Sequence, residues 1–208
     1  METVPAADPR WLALALDRLG GGGVVALPTD TVYGLAASLD LPAGIEAILR
    51  VKGRPLEKAL PLLVPSLEGA EGLGFVLSEG ALRLCRRFWP GPLTLVLPRS
   101  PRLPPWFAPG LPTTALRVPA HPVALELLRA SRWLAVTSAN RSGAPEALTA
   151  GEVAEAFPKE TPLLVVDGGP VPGGRASTVV DATGAEPRLL REGPVRERDL
   201  WEVWHGLR

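Results

Sequence analysis

Short continuous apolar runs alternate along the chain with stretches whose apolar residues recur at helical spacing. The runs, such as residues 24–27 and 163–166, are bounded by glycine or proline and are typical of buried strands. The spaced stretches, such as residues 42–51, are typical of helices that cover a sheet. The pattern predicts helices over residues 9–19, 42–51, 79–88, 122–129, 150–157 and 197–204, and strands over residues 24–27, 60–64, 94–97, 115–118, 134–137, 163–166, 178–180 and 188–190.

The order of these elements predicts an α+β fold with α/β-type layering, in which a twisted mixed β-sheet is flanked by helices. No internal repeat and no long linker interrupts the chain, so we expect a single domain over residues 1–208 with its core at about 10–195. Residues 98–112 contain six prolines and predict a loop. Polar motifs follow predicted strands or lie at helix ends, where ligands commonly bind in such sheets.

Length and composition limit the function classes. The chain has 208 residues, 46% of them hydrophobic, which is enough to bury a core. Its 22 basic and 22 acidic residues balance, whereas a general nucleic-acid binder usually carries a basic excess. The lone Cys85 excludes an intrachain disulfide and fits a reducing compartment. We read no signal peptide and no apolar run of about 20 residues, so we expect a cytoplasmic protein without a membrane partner.

Some residue types are scarce, and their few positions are informative. The chain has 19 Arg but 3 Lys, 1 Tyr, 1 Asn and no Gln. When a sequence has lost a residue type at nearly every position, we expect the remaining copies to stand where the chemistry requires them. This points to Lys52, Lys58 and Asn140. The missing amides and the 24 prolines are typical of a thermophile, while a high-GC codon bias explains the same composition equally well.

The chain lacks several common site motifs. The glycines at 20–23 precede a predicted strand, so they indicate a helix stop, and no nucleotide-binding glycine loop of known spacing is present. No Cys/His cluster has metal-ligand spacing, which predicts no protein metal site. The isolated His121 and His205 are interpreted as surface or capping residues.

Three segments remain as candidates, each with an ordinary structural alternative. Residues 52–58 place three cations in seven residues, suited either to phosphate or to a solvated turn at a helix C-terminus. Residues 137–143 are rich in hydroxyls around the lone amide, suited to a ligand or to an Asx turn. Residues 167–178 form a glycine-rich loop that allows close backbone approach to a ligand, and a long hairpin is the equal alternative.

Taken together, these segments resemble the YrdC-like family of threonylcarbamoyl-adenylate synthases, of the short single-domain type. The signature is a Lys-x-Arg segment paired with a later Ser-x-Asn, present here as Lys52-Gly53-Arg54 and Ser138-Ala139-Asn140. Six further motifs follow the family's order over roughly residues 10 to 195. They are Pro28-Thr29-Asp30-Thr31-Val32-Tyr33-Gly34-Leu35, Trp89-Pro90-Gly91-Pro92-Leu93-Thr94, Arg117-Val118-Pro119, Asp167-Gly168-Gly169-Pro170, Ser177-Thr178-Val179-Val180-Asp181 and Leu190-Arg191-Glu192-Gly193.

The resemblance implies a sheet with a large concave, positively lined cavity. It also implies that L-threonine, bicarbonate and ATP are joined into threonylcarbamoyl-AMP and pyrophosphate, for the modification of adenosine to threonylcarbamoyladenosine in tRNA. A downstream transfer complex is the implied partner. Mg²⁺ is expected with ATP, held mainly by phosphate and water without a dedicated protein cage.

The resemblance also implies roles for individual residues. Short polar groups and cations would position the two anions and stabilise charge as pyrophosphate leaves. The implied catalytic residues are Lys52, Arg54, Ser138 and Asn140; the threonine-binding residues are Thr31, Arg117 and Ser177; and the ATP-binding residues are Arg54, Lys58, Thr113, Ser138 and Arg191. The turn that carries Lys52 and Arg54 is predicted to be exposed to the cavity.

Three positions depart from the family's common pattern. Many relatives have Glu at the position of Ala176, Asn at that of Lys58 and His at that of Leu63. The alternative function from another class is an RNA-binding or ribosome-maturation module that uses the same cationic cavity, with weak RNA binding as its expected property. The balanced charge and the absence of interleaved basic and aromatic residues weigh against it.

Overall fold

A computed structural model of the chain describes residues 1–53 and 60–207. The strands are β1 Glu2–Pro5, β2 Val24–Leu27, β3 Gly34–Ser38, β4 Leu62–Leu63, β5 Leu93–Pro98, β6 Thr113–Arg117, β7 Leu134–Ser138, β8 Leu163–Asp167, β9 Thr178–Asp181 and β10 Arg188–Arg191. The helices are α1 Trp11–Gly20, α2 Pro42–Lys52, α3 Leu67–Gly72, α4 Glu79–Phe88, α5 Pro122–Ser131, α6 Ala150–Ala156 and α7 Glu197–Trp204. Within the described ranges, every helix is too short or too polar to cross a membrane.

The ten described strands form one mixed sheet in the order β1-β8-β2-β3-β7-β4-β6-β5-β9-β10. The pairs β1–β8, β2–β8, β4–β6 and β5–β9 are parallel. The pairs β2–β3, β3–β7, β4–β7, β5–β6 and β9–β10 are antiparallel. The predicted mixed sheet with flanking helices is therefore confirmed.

Side-chain alternation gives the sheet two different faces. On one face, residues such as Leu35, Leu62 and Leu116 pack with the apolar sides of α2, α3, α4, α6 and α7. On the other face, α1 and α5 cover only part of the sheet, over Val25 and Ala36. The rest of this second face, which we call the cavity face, is where the candidate site lies.

Most predicted elements are confirmed, with ends that shift by one or two residues. Ser78 and Thr149 cap α4 and α6 as expected, since their hydroxyls accept from the backbone N–H of Ala81 and Glu152. His121 and His205 occupy cap positions of α5 and α7.

Three elements and one boundary differ from the predictions. The pattern missed β1, whose sequence buries only Val4, and β3, whose small residues Gly-Leu-Ala-Ala-Ser give little strand signal. It also missed α3, a six-residue helix with two glycines that begins at the Ser66 cap. The predicted strand over 60–64 is reduced to the two residues of β4.

The docking of α7 depends on a close approach between Gly80 and the Trp204 ring. A Cβ added at Gly80 would lie 2.5 Å from that ring, which is 6% exposed and packs against α4. We expect Gly80→Ala to destabilise the protein by about 1–3 kcal/mol through overpacking, measured as urea unfolding. The control is Gly72→Ala in α3, where no atom lies within 4 Å of the added carbon and stability should be kept or raised. Equal unfolding midpoints for the two variants would contradict this role of Gly80.

Candidate functional site

A cavity of about 310 Å³ opens on the cavity face of the sheet. Its floor is formed by strands β3, β4, β6, β7, β5 and β9, and its walls by the loop after β2 and the loop after β7. The lining therefore draws on segments far apart in the chain. The lining residues are Thr29, Thr31, Val32, Gly34, Pro61, Leu63, Thr94, Ala115, Arg117, Val136, Thr137, Ser138, Glu146, Ala176, Ser177, Val179 and Arg191.

The two separated signature motifs meet at one edge of this cavity. Lys52 is the last residue of α2, and its ammonium donates to the backbone oxygen of Ser138 at 2.5 Å and to Asn140 Oδ1 at 3.1 Å. The Ser138 hydroxyl also donates to Asn140 Oδ1 at 2.7 Å. Gly53 follows in the left-handed conformation, with φ 62°, and ends the helix so that Lys52 faces β7. Lys52 therefore holds the end of β7 in place.

The position of Lys52 corrects one expectation. The sequence predicts this lysine in a turn exposed to the cavity, but Lys52 is only 6% exposed and is not a lining residue. A buried ammonium is costly unless it is hydrogen-bonded, which explains why polar oxygens of Ser138 and Asn140 surround it.

The lone Asn and the lone Tyr together fix the loop that follows β7. Asn140 Nδ2 donates to the backbone oxygen of Ala144 at 2.5 Å, and the backbone N–H of Tyr33 donates to Ala147 O at 2.9 Å. The Tyr33 hydroxyl donates to Gly169 O at 2.7 Å, and burial raises the pKa of Tyr33 to about 12, so it stays a neutral donor. Tyr33 thus joins the β7 loop to the glycine-rich loop.

Arg117, at the end of β6, is buried and surrounded by partners. Its Nη2 donates to Asp30 Oδ1 at 2.6 Å, its Nη1 to Thr31 Oγ1 at 2.9 Å and its Nε to Gly91 O at 2.9 Å. Burial lowers the pKa of Arg117, and the Asp30 carboxylate opposes that shift. A guanidinium has five N–H donors, so these three bonds leave two N–H groups unused.

A second polar group, on β5 and just before β9, lines the same cavity beside β6. The hydroxyls of Thr94 and Ser177 are 2.8 Å apart, and both are buried. Arg191 donates to Ser177 O at 3.0 Å and to Ser177 Oγ at 3.1 Å. The cavity lining thus contains two guanidinium groups, Arg117 and Arg191, together with these hydroxyls.

The glycine-rich loop comes close to the wall of the cavity. A Cβ at Gly173 would lie 2.2 Å from Thr31 O, so only glycine allows this contact. The loop packs onto the backbone that carries Thr31, and Gly169 of the same loop accepts the Tyr33 hydroxyl. The close approach seen here is to the protein's own backbone at Thr31. Approach of this loop to a ligand stays a prediction.

The structure brings most of the predicted site residues together. Thr31, Arg117, Ser138, Ser177 and Arg191 line the cavity. Lys52 and Asn140 lie directly behind Ser138. Thr113 begins β6, four residues from Arg117, and does not line the cavity. Arg54 and Lys58 lie outside the described residues, so their roles stay predictions.

Several polar residues of the site were missed as candidates, Thr29 and Thr137 among them. Asp30 and Thr94 belong to motifs that carry the family resemblance, so their neighbours could have pointed to them. Glu146 follows the Ser-x-Asn motif by six residues and lines the cavity. Two of the departures from the family pattern, Leu63 and Ala176, line it as well.

A second cavity of about 510 Å³ lies between α2 and the proline-rich loop. Its described lining is apolar apart from Glu46 and includes none of the predicted site residues that the structure describes. In residues 1–53 and 60–207, no cluster of three or more His, Cys, Asp or Glu side chains is suited to hold a metal ion. The first cavity is therefore the candidate site.

Comparison with known proteins identifies the family of the chain. The sequence profile of the Sua5/YciO/YrdC family, described as "Telomere recombination", matches residues 17–193. The chain is 44% identical over 183 residues to threonylcarbamoyl-AMP synthase of Pyrococcus abyssi, covering 88% of this chain and 54% of that protein. It is 38% identical over 172 residues to threonylcarbamoyl-AMP synthase of Thiobacillus denitrificans, covering 82% of this chain and 89% of that protein.

Two solved structures are similar over nearly the whole chain. P. abyssi Sua5 complexed with L-threonine superposes with a TM-score of 0.87 at 41% identity, covering 97% of this chain and 60% of that one. Escherichia coli YciO superposes with a TM-score of 0.84 at 25% identity, covering 96% of this chain and 98% of that one. The motifs, the fold and the relatives agree, and the chain belongs to the Sua5/YciO/YrdC family.

Proposed function

We propose that this protein is an L-threonylcarbamoyladenylate synthase, which forms threonylcarbamoyl-AMP and pyrophosphate from L-threonine, bicarbonate and ATP. The activity follows from 38% identity to a synthase over 82% of this chain and 89% of that relative. The observation that carries the assignment of the site is the contact of Lys52 with Ser138 and Asn140, which joins the two signature motifs beside the cavity.

The side of the cavity that contains Arg117 suits L-threonine. A guanidinium binds a carboxylate well, and Arg117 retains two N–H donors there beside the Thr31 hydroxyl. Ser177, which also lines the cavity, offers a hydroxyl that suits the hydroxyl or amine of the amino acid. The solved complex of P. abyssi Sua5 with L-threonine supports an amino-acid site in proteins of this fold.

The edge of the cavity at Ser138 suits the bicarbonate and the phosphates. Lys52 and Asn140 hold Ser138 in place at this edge, and the Lys52 ammonium supplies positive charge nearby. Arg191 provides a second cation in the cavity lining. Fixed donors of this kind stabilise developing charge without reorganisation when the carbamate oxygen attacks the α-phosphorus. Arg54 and Lys58 are proposed to add to this charge from the segment after α2.

Mg²⁺ is proposed to arrive with ATP. The cavity lining contains a single carboxylate among the described residues, Glu146, together with hydroxyls, which fits an ion held mainly by phosphate and water. When bound, the ion would neutralise phosphate charge. The product is proposed to pass to a separate transfer complex that modifies tRNA.

The first prediction concerns the substrates. Because the cavity combines an arginine for a carboxylate with hydroxyls, we expect pyrophosphate release to require both L-threonine and bicarbonate. The measurement is ATP-dependent pyrophosphate release over a panel of amino acids. Equal turnover with glycine, or without any amino acid, would reject threonine as the substrate.

The second prediction concerns Lys52→Met, which keeps the aliphatic stem and removes the charge. We expect activity to fall by roughly 10- to 100-fold, because Ser138 and Asn140 lose the group that positions them. Stability should fall by about 1–3 kcal/mol, because two buried oxygens each lose one of their donors. Lys159→Met is the control, since Lys159 is exposed, and it should change neither quantity. A fully active and stable Lys52→Met protein would contradict the proposal.

The third prediction compares Asn140→Asp with Asn140→Ala. The Asp variant would face Ala144 O with an oxygen where Nδ2 now donates, and its charge would repel the anionic substrates. The Ala variant only removes the contacts, so we expect the Asp variant to be the less active of the two. Adenylate formation and melting temperature should be measured for both. An active Asp variant beside a weaker Ala variant would show that Asn140 is only a turn residue, since Asp also makes Asx turns.

A further inference from the structure

The charged groups that line the cavity have one unexpected member. Among the described lining residues, the cations are Arg117 and Arg191, and the acid is Glu146. The remaining lining residues carry hydroxyls or apolar side chains. A carboxylate is an unusual group in a site that must gather ATP and bicarbonate, because both are anions.

The position of Glu146 is well fixed. The backbone on one side is held by the bond from Asn140 Nδ2 to Ala144 O at 2.5 Å. On the other side it is held by the bond from the Tyr33 N–H to Ala147 O at 2.9 Å. The side chain of the only Asn and the backbone before β3 therefore hold the short segment that carries Glu146 in the cavity wall.

The carboxylate of Glu146 has a cation near it but makes no direct bond to that cation. Its charge raises the pKa of Arg191, against the lowering caused by burial. Arg191 itself donates to Ser177, at 3.0 and 3.1 Å. In the part of the chain that the structure describes, Glu146 has no hydrogen bond or ion pair of its own, so both oxygens can accept from a ligand.

The substrates offer two positive groups that could meet this acid. One is the α-ammonium of L-threonine and the other is Mg²⁺. A magnesium ion would bring a double positive charge beside the Arg191 guanidinium, at a wall whose described residues include no second carboxylate to offset it. A singly charged ammonium needs only a hydrogen-bond acceptor, and it lies next to the carboxylate that Arg117 is placed to bind.

We propose that Glu146 binds the α-ammonium of L-threonine and so determines which acids the cavity accepts. This inference rests on the proposed function. Arg117 takes the carboxylate and Glu146 the adjacent ammonium, so the pair recognises the zwitterion. An acid without the amino group then loses the Glu146 contact and leaves this carboxylate facing a hydroxyl or an apolar group.

The test compares Glu146→Gln with Glu155→Gln, a matched change in α6 outside the cavity. Calorimetry measures the binding of L-threonine and of 2,3-dihydroxybutanoate, in which a hydroxyl replaces the ammonium. Pyrophosphate release gives KM for threonine, ATP and Mg²⁺. Melting temperatures verify that both variants are folded.

We expect Glu146→Gln to raise both Kd and KM for threonine at least tenfold, with KM for ATP and Mg²⁺ within twofold of wild type. The variant should also lose most of the wild-type preference for threonine over the hydroxy acid, whereas Glu155→Gln should retain it. A rise in KM for Mg²⁺ or ATP with unchanged threonine binding would overturn the proposal, and so would no change at all. Binding is measured without turnover, so threonine binding without pyrophosphate release would reject the synthase activity while still testing Glu146.

Discussion

The site depends on one buried charge, the ammonium of Lys52. Moving an ammonium out of water costs several kcal/mol unless polar partners replace the water. The partners here are oxygens of Ser138 and Asn140, which are 86 and 88 residues away in the sequence. Their bonds to Lys52 tie the end of α2 to the end of β7. Asn140 then holds the following loop through Ala144, so one charge determines the position of a whole wall of the cavity.

Charge compensation limits how the cavity can bind anions. The chain has no net charge, and its buried Arg117 is paired with Asp30 at 2.6 Å. Arg191 has Glu146 near it. Among the described residues, the site therefore has an acid beside each of its two lining guanidiniums. It relies on donors held at fixed positions, which suits a reaction in which two anions and a zwitterion must be oriented together.

The sequence predicted the fold and the family well, but it predicted the internal contacts of the site less well. Scarcity pointed to Lys52 and Asn140, because a rare residue type is informative wherever it remains. Scarcity could not point to Glu146, because it is one of 22 acidic residues and its residue type is therefore not rare in this chain. The burial of Lys52 could not be predicted either, because its partners come from a distant strand. The strand β3 was missed because its small residues have little strand preference of their own. Pairing with β2 and β7 makes this segment a strand.

A crystal structure of the protein with L-threonine and a non-hydrolysable ATP analogue tests the central claim most directly. The account predicts that the threonine carboxylate lies within hydrogen-bond distance of Arg117 and that the α-phosphate lies beside Ser138 and Asn140. It also predicts that Lys52 keeps its contact with the end of β7. Ligands bound instead in the second, apolar cavity between α2 and the proline-rich loop would contradict this assignment of the site. A Lys52 ammonium that no longer contacts Asn140 would contradict it as well.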